Sequence, residues 1–387
     1  MSEIKRCPNY KKCGGCQLQN MDYDRQLRFK QAQVVKLLGR FHRVSNIIGM
    51  DNPTHYRNKV QAAFGERGGK LISGVYQSST HKIVPVDDCL IEDEIADKII
   101  VTVRKLAQSF KLRAFNDTTM RGFLRHVLVK RGFVSGQVMV VLVTAGGDFP
   151  SQRSFVNALL GRHPEITTLV RNINEKHTSL VLGDKSQVLF GDGYIEEELC
   201  GKKFRISPKA FYQINPTQTQ ILYEKAVEFA NLDGSQSVID AYCGTGTIGI
   251  IMSDKAGSVM GVELNPDAVE DAKVNAKKNG VDNIKFYCAD AGDFMVELAQ
   301  RKRKVDVVIT DPPRAGCSRD FLESVVALSP KKVVYISCNP VTLARDLNYI
   351  TRKGYKVKKI QPVDMFPFTE HVEAVVLLQQ LSLPNGK

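Results

Sequence analysis

Two side chains in the last part of the chain have the types that covalent and acid–base chemistry require. Cys338 follows an apolar, strand-like run in ISCNP, and Glu373 begins another such run in EAVVLLQQ. A free cysteine is more often a small buried apolar group than a nucleophile. A thiol at a strand end beside a ligand site can nevertheless reach a substrate, and a positioned carboxylate can accept a proton from that substrate. The pair is therefore a candidate nucleophile and base.

A glycine-rich turn, DAYCGTGTIG at 240–249, lies between an apolar strand-like run and a predicted helix. Gly244 and Gly246 allow a tight turn and a close approach of the backbone to a ligand. Glu263 ends the next predicted strand, where an acid can accept hydrogen bonds from ribose hydroxyls. Asp290 ends the third predicted strand, near the expected position of an adenine. Acids at successive strand ends behind such a turn predict a nucleoside-binding site.

Three cysteines lie close together near the N-terminus, and a fourth follows in a loop-like segment. Cys7, Cys13 and Cys16 have the spacing C-x5-C-x2-C, and Cys89 is a candidate fourth ligand. A C-x2-C pair is the minimal clip for a metal, so four thiolates suit either zinc or an iron–sulfur cluster. A redox C-x-x-C site is less favoured because a third cysteine is present and no strand–helix context accompanies it. The remaining cysteines apart from Cys338 are predicted to be buried apolar groups: Cys200, Cys243, Cys288 and Cys317.

The elements that must position these groups change in character along the chain. Residues 51–205 have the pattern of short β segments with glycine-rich turns, including SLVLG, with helices expected near 92–111 and 151–160. This half is predicted to be α+β, preceded by an amphipathic helix in 19–40. After about residue 215, apolar runs alternate with amphipathic segments, which predicts a largely parallel sheet with helices on both faces. Ligands bind at the C-terminal ends of such strands.

The charge is unevenly distributed along the chain. The formal net charge is +13; residues 1–210 hold 33 Lys and Arg against 20 Asp and Glu, whereas residues 211–387 hold 21 of each. A basic half joined to a neutral half suggests a module that binds a polyanion, with nucleic acid as the first candidate. Neither a secretory h-region nor an apolar run of about 18 residues is present, so a cytoplasmic location without membrane association is expected.

The motifs around the glycine turn resemble two known groups of proteins. VIDAYCGTGTIG, GVELNPDAV and YCADA are similar to the class I S-adenosylmethionine-dependent methyltransferases. FYQINP at 211–216, SCNP and HVE resemble the RNA (uracil-5-)-methyltransferase family. The resemblance implies an α/β, Rossmann-like catalytic domain that binds S-adenosylmethionine. The implied cofactor contacts are Gln213, Tyr242, Glu263, Asp290 and Asp311, with Thr247 at a position where relatives often have Asn.

The resemblance also implies the roles of the catalytic pair. Uracil C5 is a poor nucleophile, and attack of the Cys338 thiolate on C6 would make C5 nucleophilic toward the methyl group. Glu373 would then accept the C5 proton, and the thiolate would leave by β-elimination. In class I methyltransferases the antiparallel seventh strand lies beside the fifth, which would make the two residues neighbours. The DPPR motif at 311–314 also occurs in amino-methyltransferases, whose chemistry needs no cysteine; Arg314 is expected either to contact RNA or to be solvated.

For the cysteine cluster, the resemblance favours iron over zinc. Family members that act on ribosomal RNA carry C-x5-C-x2-C with a distant fourth cysteine and bind a [4Fe–4S] cluster, whereas bacterial members that act on transfer RNA generally lack it. The implied ligands are Cys7, Cys13, Cys16 and Cys89, and the implied substrate is 23S ribosomal RNA. The T-loop of transfer RNA is an alternative substrate, and a non-catalytic iron–sulfur RNA-binding protein is an alternative function.

Two domains are expected, an iron–sulfur and RNA-binding domain at 1–210 and a methyltransferase domain at 211–387. A helix in about 19–50 is expected to pack on the catalytic domain, as in the family. Only six residues precede Cys7, so the N-terminal β-barrel of many ribosomal-RNA relatives is expected to be absent. RNA contacts then fall on the basic half, where THYRNKVQ and RGFLRHVLVKRG are candidate contact segments. The protein is expected to act as a monomer.

Overall fold

Two large β-sheets dominate the structure, one in each half of the chain. The computed structural model describes residues 6–78, 80, 82–178 and 180–381. Within them, each large sheet has seven strands and a separate hairpin has two. None of the helices in these residues combines the length and the apolar composition that a bilayer crossing needs.

The described N-terminal segment carries a one-turn helix and a long helix, α1 (Tyr10–Cys13) and α2 (Tyr23–Leu38). Helix α2 begins after Asp22, whose carboxylate accepts a hydrogen bond from the Arg25 backbone N–H. The helix predicted in 19–40 is thus confirmed, with a later start that the aspartate cap determines.

The first large sheet is mostly antiparallel. Its strands are β1 (Lys59–Arg67), β2 (Lys70–Tyr76), β3 (Ile83–Pro85), β4 (Leu124–Arg131), β5 (Val138–Thr144), β6 (Ile166–Ile173) and β7 (Lys185–Phe190). They lie in the order β3-β2-β1-β4-β5-β6-β7, with β5 and β6 parallel. Helices α3 (Glu94–Ser109) and α4 (Gln152–Leu160) cover one face. Strand β5 is buried throughout because Val140 and Leu142 face these helices, whereas Val141 and Val143 face the second half of the chain.

The prediction of a strand at SLVLG is wrong. SLVLG is predicted as a strand, but residues 180–183 make no strand pairing, and residue 179 lies outside the described residues. The strand starts instead at Lys185. The side chain of Asn172 takes the place of a neighbouring strand here, because its Oδ1 accepts a 2.7 Å hydrogen bond from the Gly183 N–H.

A short hairpin and a helix connect the two sheets, namely β8 (Ile195–Leu199), β9 (Lys202–Ile206) and α5 (Pro216–Ala230). Phe204 of the hairpin belongs to the same core cluster as Leu222 of α5 and Met139 of the first sheet. One hydrophobic core therefore contains residues from both sides of position 210. The division into two domains at that position stays a prediction.

The second large sheet has helices on both faces. Its strands are β10 (Ser237–Ala241), β11 (Ser258–Glu263), β12 (Ile284–Cys288), β13 (Val307–Thr310), β14 (Lys332–Ser337), β15 (Tyr355–Val363) and β16 (Glu373–Gln380). The helices are α6 (Thr247–Ser253), α7 (Pro266–Lys278), α8 (Ala291–Gln300), α9 (Arg319–Leu328) and α10 (Pro340–Ile350), followed by a 3-10 turn at Thr351–Lys353. The strands lie in the order β12-β11-β10-β13-β14-β16-β15, and β16 runs antiparallel to β14. The predicted antiparallel seventh strand beside the fifth is confirmed.

Helix α2 packs against this second sheet although it precedes the first sheet in the chain. Val34 and Leu38 of α2 are fully buried. They share a core cluster with Leu343 and Leu347 of α10 and with Ile360 of β15. The N-terminal segment therefore crosses back to the second half of the molecule.

Candidate active site

A cavity of about 720 Å³ opens at the C-terminal ends of the strands in the second sheet. The residues singled out from the sequence that line it are Gln213, Tyr242, Gly244, Thr247, Glu263, Asp311, Arg314, Cys338 and Glu373. Both halves of the chain close the cavity, since Gly15 and Arg57 lie in its wall together with Phe211. Its volume is that of a typical small-molecule or cofactor site, roughly 300–1,000 Å³.

The glycine-rich turn between β10 and α6 forms one wall of this cavity. Gly244 and Gly246 have φ values of 55° and 79°, and Tyr242 lies in the same left-handed region with φ 64°. Asp240 Oδ2 accepts a 2.8 Å hydrogen bond from the Gly249 N–H, which ties the end of β10 to helix α6. The turn predicted from the sequence is therefore held rigidly against the cavity.

Glu263 is the last residue of β11, as predicted from the sequence. Its carboxylate holds the glycine-rich turn by accepting backbone hydrogen bonds. Oε2 accepts a 3.0 Å hydrogen bond from the Gly244 N–H, and Oε1 accepts a 2.8 Å hydrogen bond from the Asn265 N–H. A carboxylate offers about four lone-pair sites, so capacity remains for ribose hydroxyls. Thr247 adds a hydroxyl at the opposite end of the turn, 3.3 Å from the hydroxyl of Thr245.

Asp290 follows β12 but is not among the residues that line the cavity. Its Oδ1 accepts hydrogen bonds of 2.8 and 3.2 Å from the N–H groups of Gly292 and Asp293. The residue therefore caps helix α8. Its predicted contact with an adenine stays a prediction.

Cys338 and Glu373 lie at adjacent strand ends. Ser337 of β14 pairs with Ala374 of β16, so the next position along the antiparallel pair brings Cys338 opposite Glu373. Cys338 is half-buried, whereas Glu373 is 3% exposed. Burial raises the pKa of Cys338 to about 11, and the charges of Glu373 and Asp311 contribute to the rise. Burial therefore favours the protonated thiol over the thiolate.

Asp311 and Glu373 form a pair of carboxyl groups in the cavity wall. Burial raises the pKa of both groups, and the charge of Asp311 raises the pKa of Glu373 further. Two carboxyl groups in one desolvated site resist double ionisation near neutral pH. The pair therefore offers a proton donor and a proton acceptor at the same place, which suits acid–base chemistry.

The buried pair also makes stability depend on pH. An unfolded carboxyl group ionises near pH 4, so above about pH 4 the folded state retains protons that the unfolded chain has released. The free energy of unfolding then falls as the pH rises. Because glutamine cannot ionise, we expect Glu373→Gln to melt above the wild type at about pH 8 and close to it at about pH 5 in calorimetry. An equal difference at both pH values would contradict a proton-bearing Glu373.

Tyr223 and His371 line the cavity without having been singled out from the sequence. Tyr223 of α5 is buried, and burial together with the charge of Asp311 raises its pKa. Arg314 Nη2 lies 2.8 Å from His371 Nδ1, and burial and Arg314 lower the pKa of this histidine. His371 could have been identified from the sequence because it belongs to the HVE motif that also contains Glu373.

A second cavity, of about 330 Å³, lies beside the first. The four cysteines predicted as ligands line it, namely Cys7, Cys13, Cys16 and Cys89. All are free thiols and half-buried. Gly15 and Arg57 line both cavities, so the two sites share a wall. Burial raises the pKa of Cys16 to about 11.

No set of three or more His, Cys, Asp or Glu side chains within the described part of the chain is arranged to hold a metal ion. The four cysteines nevertheless line the same cavity. Among the other cysteines, the prediction of burial holds for Cys243 and Cys317 but is wrong for Cys288, which is exposed, and for Cys200, which is half-buried. Cys288 is exposed because it ends β12, an edge strand of the sheet.

Comparisons with known proteins agree with this geometry. A sequence model of the family described as tRNA (Uracil-5-)-methyltransferase matches residues 165–381. An uncharacterized RNA methyltransferase of Halalkalibacterium halodurans is 45% identical over 378 residues, which are 96% of this chain and 82% of the relative. One of Clostridium acetobutylicum is 41% identical over 382 residues, 97% of this chain and 83% of the relative.

A solved structure is similar over nearly the whole chain. It is that of the Pyrococcus abyssi tRNA (uracil-54, C5)-methyltransferase in complex with S-adenosyl-L-homocysteine, with a TM-score of 0.79 and 28% identity. The match covers 97% of this chain and 87% of that chain.

Proposed function

The chain belongs to the tRNA (uracil-5-)-methyltransferase family, and on that premise we propose that it methylates uridine C5 in 23S ribosomal RNA through a covalent adduct of Cys338. The family carries out S-adenosylmethionine-dependent methylation of uracil C5 in RNA. The observation that carries the finer proposal is the placement of Cys338 opposite Glu373 in one cavity with the glycine-rich turn.

S-adenosylmethionine supplies the methyl group when it is bound. The residues that we propose to hold it are Gln213, Tyr242, Thr247, Glu263, Asp290 and Asp311. The remaining hydrogen-bond capacity of the Glu263 carboxylate suits ribose hydroxyls. The cavity is large enough for a nucleoside and a flipped base together.

The catalytic pair then acts on the uracil ring. Cys338 releases its proton to solvent and its sulfur forms a bond to C6, which moves electron density to O4 and makes C5 nucleophilic. C5 takes the methyl group, and Glu373 in its ionised form accepts the proton that C5 must lose. The electrons of that C–H bond restore the C5–C6 double bond and expel the thiolate. The raised pKa of Glu373 makes its carboxylate a stronger base than an exposed one.

RNA binding by the basic N-terminal half is part of this proposal. Residues 1–210 carry the whole net charge of +13, and Arg57 from this half lines the active-site cavity. A second candidate substrate is the T-loop of transfer RNA, because the similar Pyrococcus abyssi enzyme is named for uracil-54 of tRNA. We further propose that the protein acts as a monomer.

The test of function uses the purified protein, labelled S-adenosylmethionine, and unmodified 23S ribosomal RNA and transfer RNA in separate reactions. Nucleoside mass spectrometry should find labelled 5-methyluridine in the ribosomal RNA, and mapping would give its position. If label enters transfer RNA alone, the substrate is the T-loop of transfer RNA, and the proposed reaction at uridine C5 still stands. Label in another nucleoside would overturn the proposed chemistry.

We also propose that Cys7, Cys13, Cys16 and Cys89 hold a [4Fe–4S] cluster. Four free thiols around one cavity have the number and type of ligands that such a cluster takes. Four thiolates would also suit a single zinc ion, and the resemblance of the C-x5-C-x2-C spacing to that of the ribosomal-RNA members of the family favours the cluster. The cluster would fasten the N-terminal segment to the first sheet, since Cys89 lies between β3 and α3.

For this site we expect protein purified without oxygen to be brown and to contain roughly four iron atoms per chain. Cys89→Ser should lose most of the iron because it removes one of four ligands. Cys288→Ser, which changes an exposed thiol outside the site, should keep it. Colourless protein with about one zinc per chain would contradict the cluster.

A further inference from the structure

The loop between β15 and β16 leads directly to the proposed base. This loop, residues 364–372 and here called the catalytic loop, supplies Phe366, Thr369 and His371 to the cavity wall. Glu373 follows it as the first residue of β16. The catalytic loop is therefore continuous in the chain with the residue that carries this carboxylate, and both border the same cavity.

A segment more than 300 residues earlier in the chain holds this loop by its backbone. The Phe368 N–H donates a 2.8 Å hydrogen bond to Gln26 Oε1, and its carbonyl accepts a 2.9 Å hydrogen bond from the Leu18 N–H. Gln26 has no exposed surface. Phe368 has φ 68°, a left-handed conformation that a bulky residue keeps only where the surrounding structure enforces it. Both of its backbone groups are bonded to the N-terminal segment.

A buried ion pair holds the start of the same loop. Lys30 Nζ lies 2.6 Å from Asp364 Oδ1, and neither side chain has exposed surface. The same ammonium donates a 2.9 Å hydrogen bond to the Phe366 carbonyl. The Tyr23 hydroxyl donates a 2.9 Å hydrogen bond to Asp364 Oδ2. A buried charge pair with further hydrogen bonds fixes geometry because loss of one partner leaves an unpaired charge.

The cysteine cavity joins this arrangement from the other side. The Tyr56 hydroxyl donates a 3.0 Å hydrogen bond to the Pro367 carbonyl. Phe368 packs in one apolar cluster with Tyr56, and Cys16 and Cys89 lie against that cluster. The loop that carries the active-site residues is thus clamped between helix α2 and the wall of the cysteine cavity.

We propose that residues 17–30, here called the brace, are a positioning unit for the catalytic loop, and that Gln26, Lys30 and Tyr23 set the place of Glu373 relative to the bound uracil. None of the three touches the active-site cavity, so they act through the loop. This inference rests on the proposed function, because it takes Glu373 as the base that completes the reaction.

The test is Gln26→Met, which keeps the size of the side chain and removes its amide. We expect kcat for RNA methylation to fall by about 10- to 100-fold, since a misplacement near 1 Å costs that much. The KM for S-adenosylmethionine should stay within about twofold, because the glycine-rich turn is untouched. A misplaced base also delays release, so the fraction of protein in a denaturant-resistant covalent complex with RNA should rise severalfold. A merely destabilised enzyme would show no such rise.

The matched control is Val34→Ala on the same helix, where the side chain is buried in the α10 core rather than against the loop. It should lower thermal stability but leave kcat and the covalent fraction near wild type. Tyr23→Phe removes a single hydroxyl and provides a milder second variant if Gln26→Met does not fold. Wild-type kcat and covalent fraction in the folded brace variants would overturn the inference. Absence of 5-methyluridine with the wild type would instead overturn the proposed function.

Discussion

Cys338→Ala is expected to abolish methyl transfer while leaving S-adenosylmethionine binding unchanged. Without the thiolate, C6 of uracil receives no nucleophile and C5 does not become reactive toward the methyl group. Loss of a covalent nucleophile commonly lowers kcat by a factor on the order of 10⁴ or more. The variant is checked by label transfer from S-adenosylmethionine to RNA and by calorimetric titration with the cofactor.

The control for this variant is Cys200→Ala, because Cys200 lies in the turn between β8 and β9 and does not line the active-site cavity. It should methylate RNA at the wild-type rate. The covalent complex with RNA should be detectable with the wild type under quenching conditions and absent with Cys338→Ala. Undiminished turnover by Cys338→Ala would exclude a covalent mechanism through this residue.

Glu373→Gln is expected to stop the reaction after methyl transfer rather than before it. Glutamine fills the same buried space but cannot accept the C5 proton, so the thiolate cannot leave. We expect turnover to fall by about 10²- to 10⁴-fold, the usual contribution of a positioned base. A methylated, covalent protein–RNA complex should accumulate, and it can be measured by denaturing gel electrophoresis with label in the methyl group.

The control for the base is Glu370→Gln, which changes an exposed carboxylate on the same loop. It should turn over normally and accumulate no complex. An accumulated complex without methyl label would place the role of Glu373 before methyl transfer. Normal release of 5-methyluridine by Glu373→Gln would remove this residue as the base and leave Asp311 as the nearest alternative in the cavity wall.

The local sequence pattern predicted the helices and strands in the second half of the chain well, because each of them has the hydrophobic periodicity of its type. Alternating apolar and amphipathic runs correspond to strands and helices of the second sheet, and the glycine turn has the positive φ values that its glycines allow. Cys338 and Glu373 could be assigned together because SCNP and HVE mark the ends of two strands. The resemblance then placed those strands side by side.

Other predictions from the sequence were wrong because the position of a segment in the tertiary structure outweighed its local sequence pattern. Residues 180–183 are apolar enough for a strand, yet hydrogen bonding of Gly183 to Asn172 holds them outside the sheet. Cys288 is exposed because β12 has a neighbour on one side only among the described strands.

The sequence by itself determined which chemistry to expect of this protein, through the residue types, the strand-end motifs and the four-cysteine pattern. Only the tertiary structure decided how distant segments cooperate. Lys30 and Asp364 are 334 positions apart, and no helix or strand period relates them. Their contact arises because α2 buries its apolar face on the second sheet, which forces its buried polar side chains to find partners in the catalytic loop. Such pairing depends on packing and not on local propensity.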